Sequence, residues 1–440
     1  MQPQRLELPW RPPAQLAQAL ADRWGRHGLI WLDGDGSPLG RWATLAADPL
    51  EQHSCRGLPG QAGARDPFHT LASLGPGHWS GWLSYDAGAW VEPAGHWQAD
   101  AMASLWIARH DPLLRCDLQD QRLWLEGQDA ERFAAWAQWL AALPEPSGPT
   151  AARPSVPPTA WTWHSDTEAF AAGVQRIRAW IACGDLFQAN LTACCSAALP
   201  EGWGGSTAAL PLFEQLRRQS PAPFAGLVVA AGDAAGEAVI SASPERFLQV
   251  DGAGRVETRP IKGTRPRAGE PDRDADLAAE LVCSGKDRAE NVMIVDLLRN
   301  DLGRVCQPGS IQVPQLVGLE SYANVHHLTS VVTGQLRPDC DWVDLLRACW
   351  PGGSITGAPK LRACQRLAEL EPVPRGPYCG SLLRRDWDGS LDSSILIRSL
   401  LLKDGQLRLQ AGCGIVADSD PLAEAEEMGW KLNPLLEALA

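Results

Sequence analysis

Two acidic pairs, one lysine and two glycine-rich loops are the parts of this sequence that could do chemistry. In Lys286-Asp-Arg-Ala-Glu-Asn-Val-Met-Ile-Val-Asp-Leu-Leu-Arg299, Asp287 and Glu290 stand three apart. On a helix that spacing puts both carboxylates on one face. Glu424 and Glu427 repeat the spacing near the C-terminus, with Lys431 four residues further on. Read separately, each pair is an ordinary acidic helix surface, and Glu427 with Lys431 is a favoured surface ion pair. Read together, two carboxylate pairs on two helices supply the oxygen ligands that Mg²⁺ uses and leave positions for a substrate carboxylate. The lysine is Lys262, in Glu257-Thr-Arg-Pro-Ile-Lys-Gly-Thr264. Residues 255–259 alternate as a half-buried strand does, and Pro260 cannot donate to a sheet ladder. Gly263 lets the chain turn or approach a ligand closely. Lys262 can therefore direct its amine into a cleft, although a lone lysine near a turn is usually solvated.

Pro351-Gly-Gly-Ser-Ile-Thr-Gly-Ala-Pro-Lys360 and Ala411-Gly-Cys-Gly-Ile415 are loops of small residues whose amides could approach an anion. Neither fits a phosphate-binding loop or a dinucleotide fingerprint. Cys413 is not a nucleophile of the thiol-protease or amidotransferase kind, because no histidine follows it in the chain. Arg398 could clamp a carboxylate through two hydrogen bonds, against the commoner reading of a strand-end arginine at the surface.

The elements that must carry these groups are legible mainly after residue 161. Residues 167–183 read as an amphipathic helix ending at Gly184. Strands follow at 186–192, 226–230 and 238–241. The dense apolar run of 286–299 predicts a buried helix, and Asp420 with Pro421 opens the last helix as N-cap and N1. Residues 1–141 hold shorter stretches, with strands at 28–36 and 80–86 and a strand becoming a helix over 123–140, and carry no chemical constellation. The proline-rich residues 142–160 read as a linker or an extended crossing segment, leaving 161–440 as the catalytic region.

At 440 residues the chain could form two or three domains or one large α/β domain. A net charge of −13 argues against nucleic acid and anionic membranes. No apolar run approaches the roughly 20 residues of a membrane span, and the N-terminus lacks the order of a signal peptide. Twelve cysteines without a CxxC pair read as reduced thiols of a cytoplasmic protein. The twenty tryptophans suggest no function.

Ser243-Pro-Glu-Arg-Phe247, Pro260-Ile-Lys-Gly-Thr264, the loop 351–360 and Gly414-Ile-Val-Ala-Asp-Ser419 occur in one order that resembles the chorismate-utilising enzymes. That family includes anthranilate, aminodeoxychorismate, isochorismate and salicylate synthases. The match is dense over 161–440 and faint before it. Lys262 with Glu245 is most similar to the aminodeoxychorismate synthase component I branch, since anthranilate synthases carry a small residue at the position of Lys262.

The resemblance implies one large α/β (α+β) domain, two antiparallel sheets packed as a sandwich and flanked by helices, as in anthranilate synthase component I. It implies Mg²⁺ held by Glu290 and Glu427, with Asp287 and Glu424 beside them. It makes Lys262 the nucleophile at C2 of chorismate and Glu245 the acid that protonates the departing C4 hydroxyl. Ammonia then adds at C4 and expels the lysine, which requires Lys262 partly deprotonated. Arg398, Lys431, Gly412 and Gly414 would hold substrate carboxylates, while Thr356, His327, Gly263 and Thr264 line the same pocket. The product, 4-amino-4-deoxychorismate, leads to p-aminobenzoate and folate. Ammonia would come from a separate glutamine amidotransferase subunit, because no such motif occurs here. The competing expectations are anthranilate or isochorismate synthase, and an inactive scaffold that binds chorismate or an amidotransferase. Two departures bear on the last. Leu383-Arg384 stands where the family has Gly-Tyr, so Arg384 is expected to replace a substrate contact or to alter the pocket. Phe187 stands where a tyrosine is usual.

Overall fold

The computed structural model describes residues 3–144, 153–322 and 325–440. Its centre is a pair of antiparallel sheets, and both the N-terminal third and the remainder of the chain contribute strands to each. In the larger sheet, Gln4–Leu8, Arg122–Gly127, Leu113–Asp117, Trp42–Ala46 and Ile30–Asp33 form one flank. Phe224–Val229 joins Ile30–Asp33 directly, and Glu237–Ser243, Ser399–Lys403, Gln406–Ile415 and Gln188–Ala198 follow. The second sheet runs from Ile261–Pro266 through Val325–Gln335, Arg255–Thr258, Arg246–Val250, Leu391–Ile395 and Ser381–Arg385 to Trp79–Leu83, Leu105–Arg109 and Glu51–Cys55.

Alternation along the strands builds two cores. On Ser399–Lys403, Leu401 packs into the core shared with the second sheet, whereas Leu400 and Leu402 pack with the helices on the other face. Strands buried on both faces are largely apolar, as Leu227-Val-Val-Ala230 and Ala238-Val-Ile240 are. The outer core takes helices Thr167–Ala182, Ala209–Gln219 and Pro421–Leu439. Tryptophan fills space here: Trp31, Trp79, Trp82 and Trp106 are fully buried. Nine of the twelve cysteines are buried and all twelve are free thiols. No helix among the described residues is long and apolar enough to cross a membrane.

Several expectations are sharpened. The proline-rich segment 142–160 lies partly outside the described residues, at 145–152. Beyond that gap the chain is tied down, with Val156 and Trp161 buried in the outer core and the Val156 amide bonded to the Leu439 carbonyl. The helix Gly285–Gly303 is not buried all round: Ile294, Val295 and Leu298 face the core, whereas Val292 is 40% exposed. It lies across one sheet face with its other side open, so its dense apolar run did not report burial. Asp420 accepts from the Leu422 and Ala423 amides as the N-cap of the last helix, with Pro421 at N1.

Candidate active site

Eight elements carry the site. They are β1 (Gln188–Ala198), β2 (Arg255–Thr258), β3 (Ile261–Pro266), α1 (Gly285–Gly303), β4 (Val325–Gln335), α2 (Lys360–Leu370), β5 (Gln406–Ile415) and α3 (Pro421–Leu439).

Pro260 ends β2 as its missing N–H requires, but the chain continues at once into β3, so Lys262 sits within a strand and not at the end of one. Ile261 pairs with Thr329 and Thr264 with His327, so between these pairs two residues on β3, Lys262 and Gly263, oppose one on β4, Leu328. The extra residue makes a bulge at Lys262-Gly263, and bulges re-aim side chains. Gly263 sits at φ +83°, and a Cβ there would lie 2.9 Å from Asp287 and Leu281. Only glycine lets the bulge and α1 approach this closely.

The re-aimed Lys262 Nζ lies 3.6 Å from Glu290 Oε2. Opposite them runs β5. A Cβ on Gly414 would stand 3.0 Å from Lys262 Nζ, 2.9 Å from Glu290 Oε2 and 2.6 Å from Gln188 Nε2. Three polar groups from β3, α1 and β1 thus converge on one glycine. Gln188 is fully buried, and neither atom of its carboxamide has a hydrogen-bond partner. Sequence reasoning missed it. A glutamine opening a strand that is buried almost throughout, two before Asn190, was the available signal.

Glu245 lies on the Lys262 side of this point. Its carboxyl meets the Ser354 hydroxyl and the Ile261 amide, and it feels the Lys262 charge. Desolvation dominates and pushes the Glu245 pKa up to about 7. Burial also raises Glu290, against the pull of Lys262 and Lys286. On α3, Glu424 accepts from Lys286 Nζ at 2.6 Å and from the Ser419 hydroxyl at 2.7 Å through Oε1, while its buried Oε2 has no partner. Glu427 and Lys431 make the expected ion pair at 2.8 Å, and Lys431 also donates to the Gly412 carbonyl at 2.9 Å. Desolvation raises Glu427, but Lys431, Lys286 and Lys262 outweigh it and its pKa is lowered. Asp287 stands beside Gly263, and its charge and that of Glu424 both act on Glu290. The two acidic pairs therefore meet, and the orphaned Glu424 oxygen with an all-oxygen donor set fits Mg²⁺. Cys413 Sγ lies within 4.8 Å of the Glu424 and Glu427 carboxylates but is buried and held near the Glu424 carbonyl.

A third wall is basic. Arg398 adopts φ 50°, a left-handed conformation that costs a non-glycine residue energy. Burial lowers its pKa, and among the described residues no hydrogen bond or ion pair engages its guanidinium. Its charge falls on His327, whose Nδ1 lies 2.8 Å from the Thr264 hydroxyl and whose buried Nε2 is unpartnered. Burial and Arg398 together lower the His327 pKa to about 3, so its ring is neutral. Thr356 is buried, and its hydroxyl is taken by the Gly352 carbonyl at 2.9 Å.

Arg384 points its guanidinium at carboxylates of this chain. It lies 3.4 Å from Asp386 and 3.9 Å from Asp392, within a charge network between the sheets that also holds Arg115 and Arg246. Its guanidinium is spent there on carboxylates. Phe187 is 71% exposed, so its missing hydroxyl takes nothing from the pocket. A cavity of about 260 Å³ at Asp33 and Arg217 touches none of these groups.

Residues 28–437 match a family model described as chorismate binding enzyme. Aminodeoxychorismate synthase component 1 of Salmonella typhimurium is 35% identical, covering 100% of this chain and 99% of that one. An anthranilate synthase component I-like protein of Synechocystis is 39% identical, covering 85% of this chain and 73% of that one. Among solved structures, anthranilate synthase component I of Streptococcus pneumoniae superposes with a TM-score of 0.76 at 28% identity, covering 90% of this chain and 92% of that one.

Proposed function

The chain belongs to the chorismate-binding enzymes, and from that footing we propose that it is component 1 of an aminodeoxychorismate synthase, converting chorismate and ammonia to 4-amino-4-deoxychorismate. One observation carries the reading: an amine re-aimed by a bulge and a protonatable carboxyl share one desolvated pocket, at Lys262 and Glu245. Anthranilate formation has no use for a lysine there. Isochorismate formation adds water and needs a base, whereas Gln188 at the convergence point is a carboxamide and cannot take a proton. The Salmonella relative's name agrees with this choice.

The Lys262 amine adds to C2 of chorismate, the ring double bond shifts, and the C4–O bond breaks. Glu245 gives its proton to the departing oxygen, which leaves as water. Its raised pKa is what a donor working near neutrality requires. Ammonia then adds at C4, the double bond shifts back, and Lys262 leaves C2. Unpaired Arg398 takes a substrate carboxylate, and the amides about Gly412 and Gly414 crowd another against β5.

Glu290 and Glu427 would hold Mg²⁺, with Asp287 and Glu424 beside them. When bound, the ion supplies positive charge to the ring carboxylate. Lys286 and Lys431 hold the Glu424 and Glu427 carboxylates in place meanwhile, and Lys431 helps keep Glu427 ionised. A glutamine amidotransferase subunit would supply the ammonia, and the free thiols suit a cytoplasmic setting. The test is purified protein with chorismate, Mg²⁺ and ammonium, with products identified by mass spectrometry. Aminodeoxychorismate is expected. Anthranilate or isochorismate as the sole product would overturn the assignment, and full turnover in EDTA would remove the metal.

A further inference from the structure

Neighbouring residues on a strand point to opposite faces, so on β4 His327 turns to Thr264 and His326 turns the other way. His326 is 3% exposed and shares its face with Leu328, which packs with Leu281 and Val317 in a small third core. Leu281 belongs to the helix Pro271–Cys283, and Asp274 stands seven residues before it, on the same helix face. That core brings Asp274 over His326, whose Nε2 lies 3.1 Å from Asp274 Oδ1. On the other side runs the strand Gln312–Ser321, which among the described residues pairs with β4 alone. Its last residue, Ser321, is opposite His326 in register, and Ser321 Oγ lies 2.7 Å from His326 Nδ1. A hydroxyl, an imidazole and a carboxylate are thus joined in sequence, and the chorismate chemistry uses none of them.

Asp274 decides which way the hydrogens run. Arg267 binds its carboxylate through Nε at 2.8 Å and Nη2 at 2.7 Å, and the Ala268 amide donates to it at 2.9 Å. These contacts lower its pKa and keep it ionised. An ionised carboxylate only accepts, so His326 carries a proton on Nε2 and donates it to Asp274. In the neutral ring Nδ1 then keeps its lone pair, and the Ser321 hydroxyl donates to it. We propose that Ser321, His326 and Asp274 form a second nucleophilic site on this chain, one that takes activated acyl esters. Ser321 is exposed at the end of an edge strand, so esters whose leaving groups need no donated proton are the class it serves. Ser321 Oγ bonds to the acyl carbon as the ester C–O bond breaks, the leaving group departs as its anion, and the hydroxyl proton passes to His326 Nδ1. His326 releases that proton to solvent and takes another from the water that hydrolyses the acyl-serine, freeing the acid. Asp274 touches no substrate and acts as a positioning residue. In serine proteases Nε2 faces the hydroxyl and Nδ1 the carboxylate, but the roles follow geometry and not the label of the nitrogen.

The full-length protein treated with a fluorophosphonate, and separately with p-nitrophenyl acetate, tests the site. The fluorophosphonate should label Ser321 with loss of fluoride, as peptide mapping would show, and p-nitrophenolate should be released with turnover. Ser321→Ala should abolish both, while chorismate turnover stays at the parent rate. His326→Gln and Asp274→Asn should each slow both by ~10² or more. Nitrogen-15 spectra of histidine-labelled protein give a readout that mere fastening of the helix would not move. His326 Nδ1 should be the unprotonated nitrogen in the parent, and Asp274→Asn should remove that preference. Ser321 labelled no faster in the folded parent than in the urea-unfolded chain would overturn the proposal. So would parent-rate labelling in His326→Gln. A proton on His326 Nδ1 in the parent would overturn it too, even if every variant at His326 or Asp274 failed to fold.

Discussion

Glu245 can act as an acid near neutral pH because its surroundings cost its charged form more than its neutral one. Ser354, Ile261 and Lys262 all favour the carboxylate, yet burial outweighs them and leaves the pKa at about 7. The formation of the Lys262 adduct, followed without ammonia, should therefore fall on an alkaline limb near pH 7 that Glu245→Gln abolishes. A limb that survives the substitution would assign the proton to another group. The same shift has a sign for stability. The folded protein binds this proton more tightly than the unfolded chain, so stability present below the ordinary value of 4.5 is lost as pH rises through about 7. Glu245→Gln should consequently raise stability at pH 8 relative to the parent, by at most on the order of 3 kcal/mol, and leave it little changed at pH 4. Chemical denaturation at the two pH values would check this. For Lys262, protein incubated with chorismate and Mg²⁺ alone should gain the mass of chorismate less one water, mapping to Lys262. The link is a C2 amine, so no borohydride is needed to keep it. Lys262→Ala should lose the adduct and ~10²–10⁴ of the rate. Aminodeoxychorismate at the parent rate from that variant would end the nucleophile assignment.

At the scale of elements, the site depends on close approach. Gly414 lets β5 run against Lys262, Glu290 and Gln188 at once, and no side chain can be added there without displacing one of them. Gly414→Ala should fold, because the strand's register with β1 is set by ten paired residues. It should also lose ~10² or more in kcat/KM, since displacing a reacting group by about 1 Å costs that much. Parent-like turnover would show that the convergence on Gly414 is incidental. What the sequence revealed at this scale follows from the same physics. Caps, turns and helical spacing are local, so α1, α3 and the N-cap at Asp420 were readable from neighbours in the chain. The bulge was not, because it is a mismatch of two residues on β3 against one on β4, some sixty positions away. Gln188 was unreadable for a related reason: nothing near it in sequence shows that both of its amide atoms lack partners. Arg384 misled because its partners Asp386 and Asp392 are ordinary in sequence and decisive only once the sheets face each other.

On the scale of the whole molecule, the chemistry and the stability reside in different parts of the chain. Every residue of the candidate active site lies after 161, and the N-terminal third offers that site no reacting group, so the sequence invites a boundary there. The sheets do not. Ile30–Asp33 pairs with Phe224–Val229 along the larger sheet, and Trp79–Leu83 pairs with Ser381–Arg385 along the smaller. The inner core is likewise shared, with Ile30, Trp79, Trp82 and Trp106 packed against Val228, Phe247 and Leu382. A chain beginning at 161 would leave Phe224–Val229 and Ser381–Arg385 as bare edges with unpaired amides. It would also uncover the core those tryptophans fill, at 1.5–3 kcal/mol or so for each large side chain left without its neighbours. Against a total stability of about 5–15 kcal/mol for a folded protein, that loss is not survivable. Residues 161–440 expressed alone should therefore aggregate or lack a cooperative thermal transition. Supplying 1–144 as a separate chain should recover at least part of the activity if the two sheets can re-form. A soluble 161–440 fragment with a sharp transition and parent-like activity would show instead that the catalytic region is a domain in its own right.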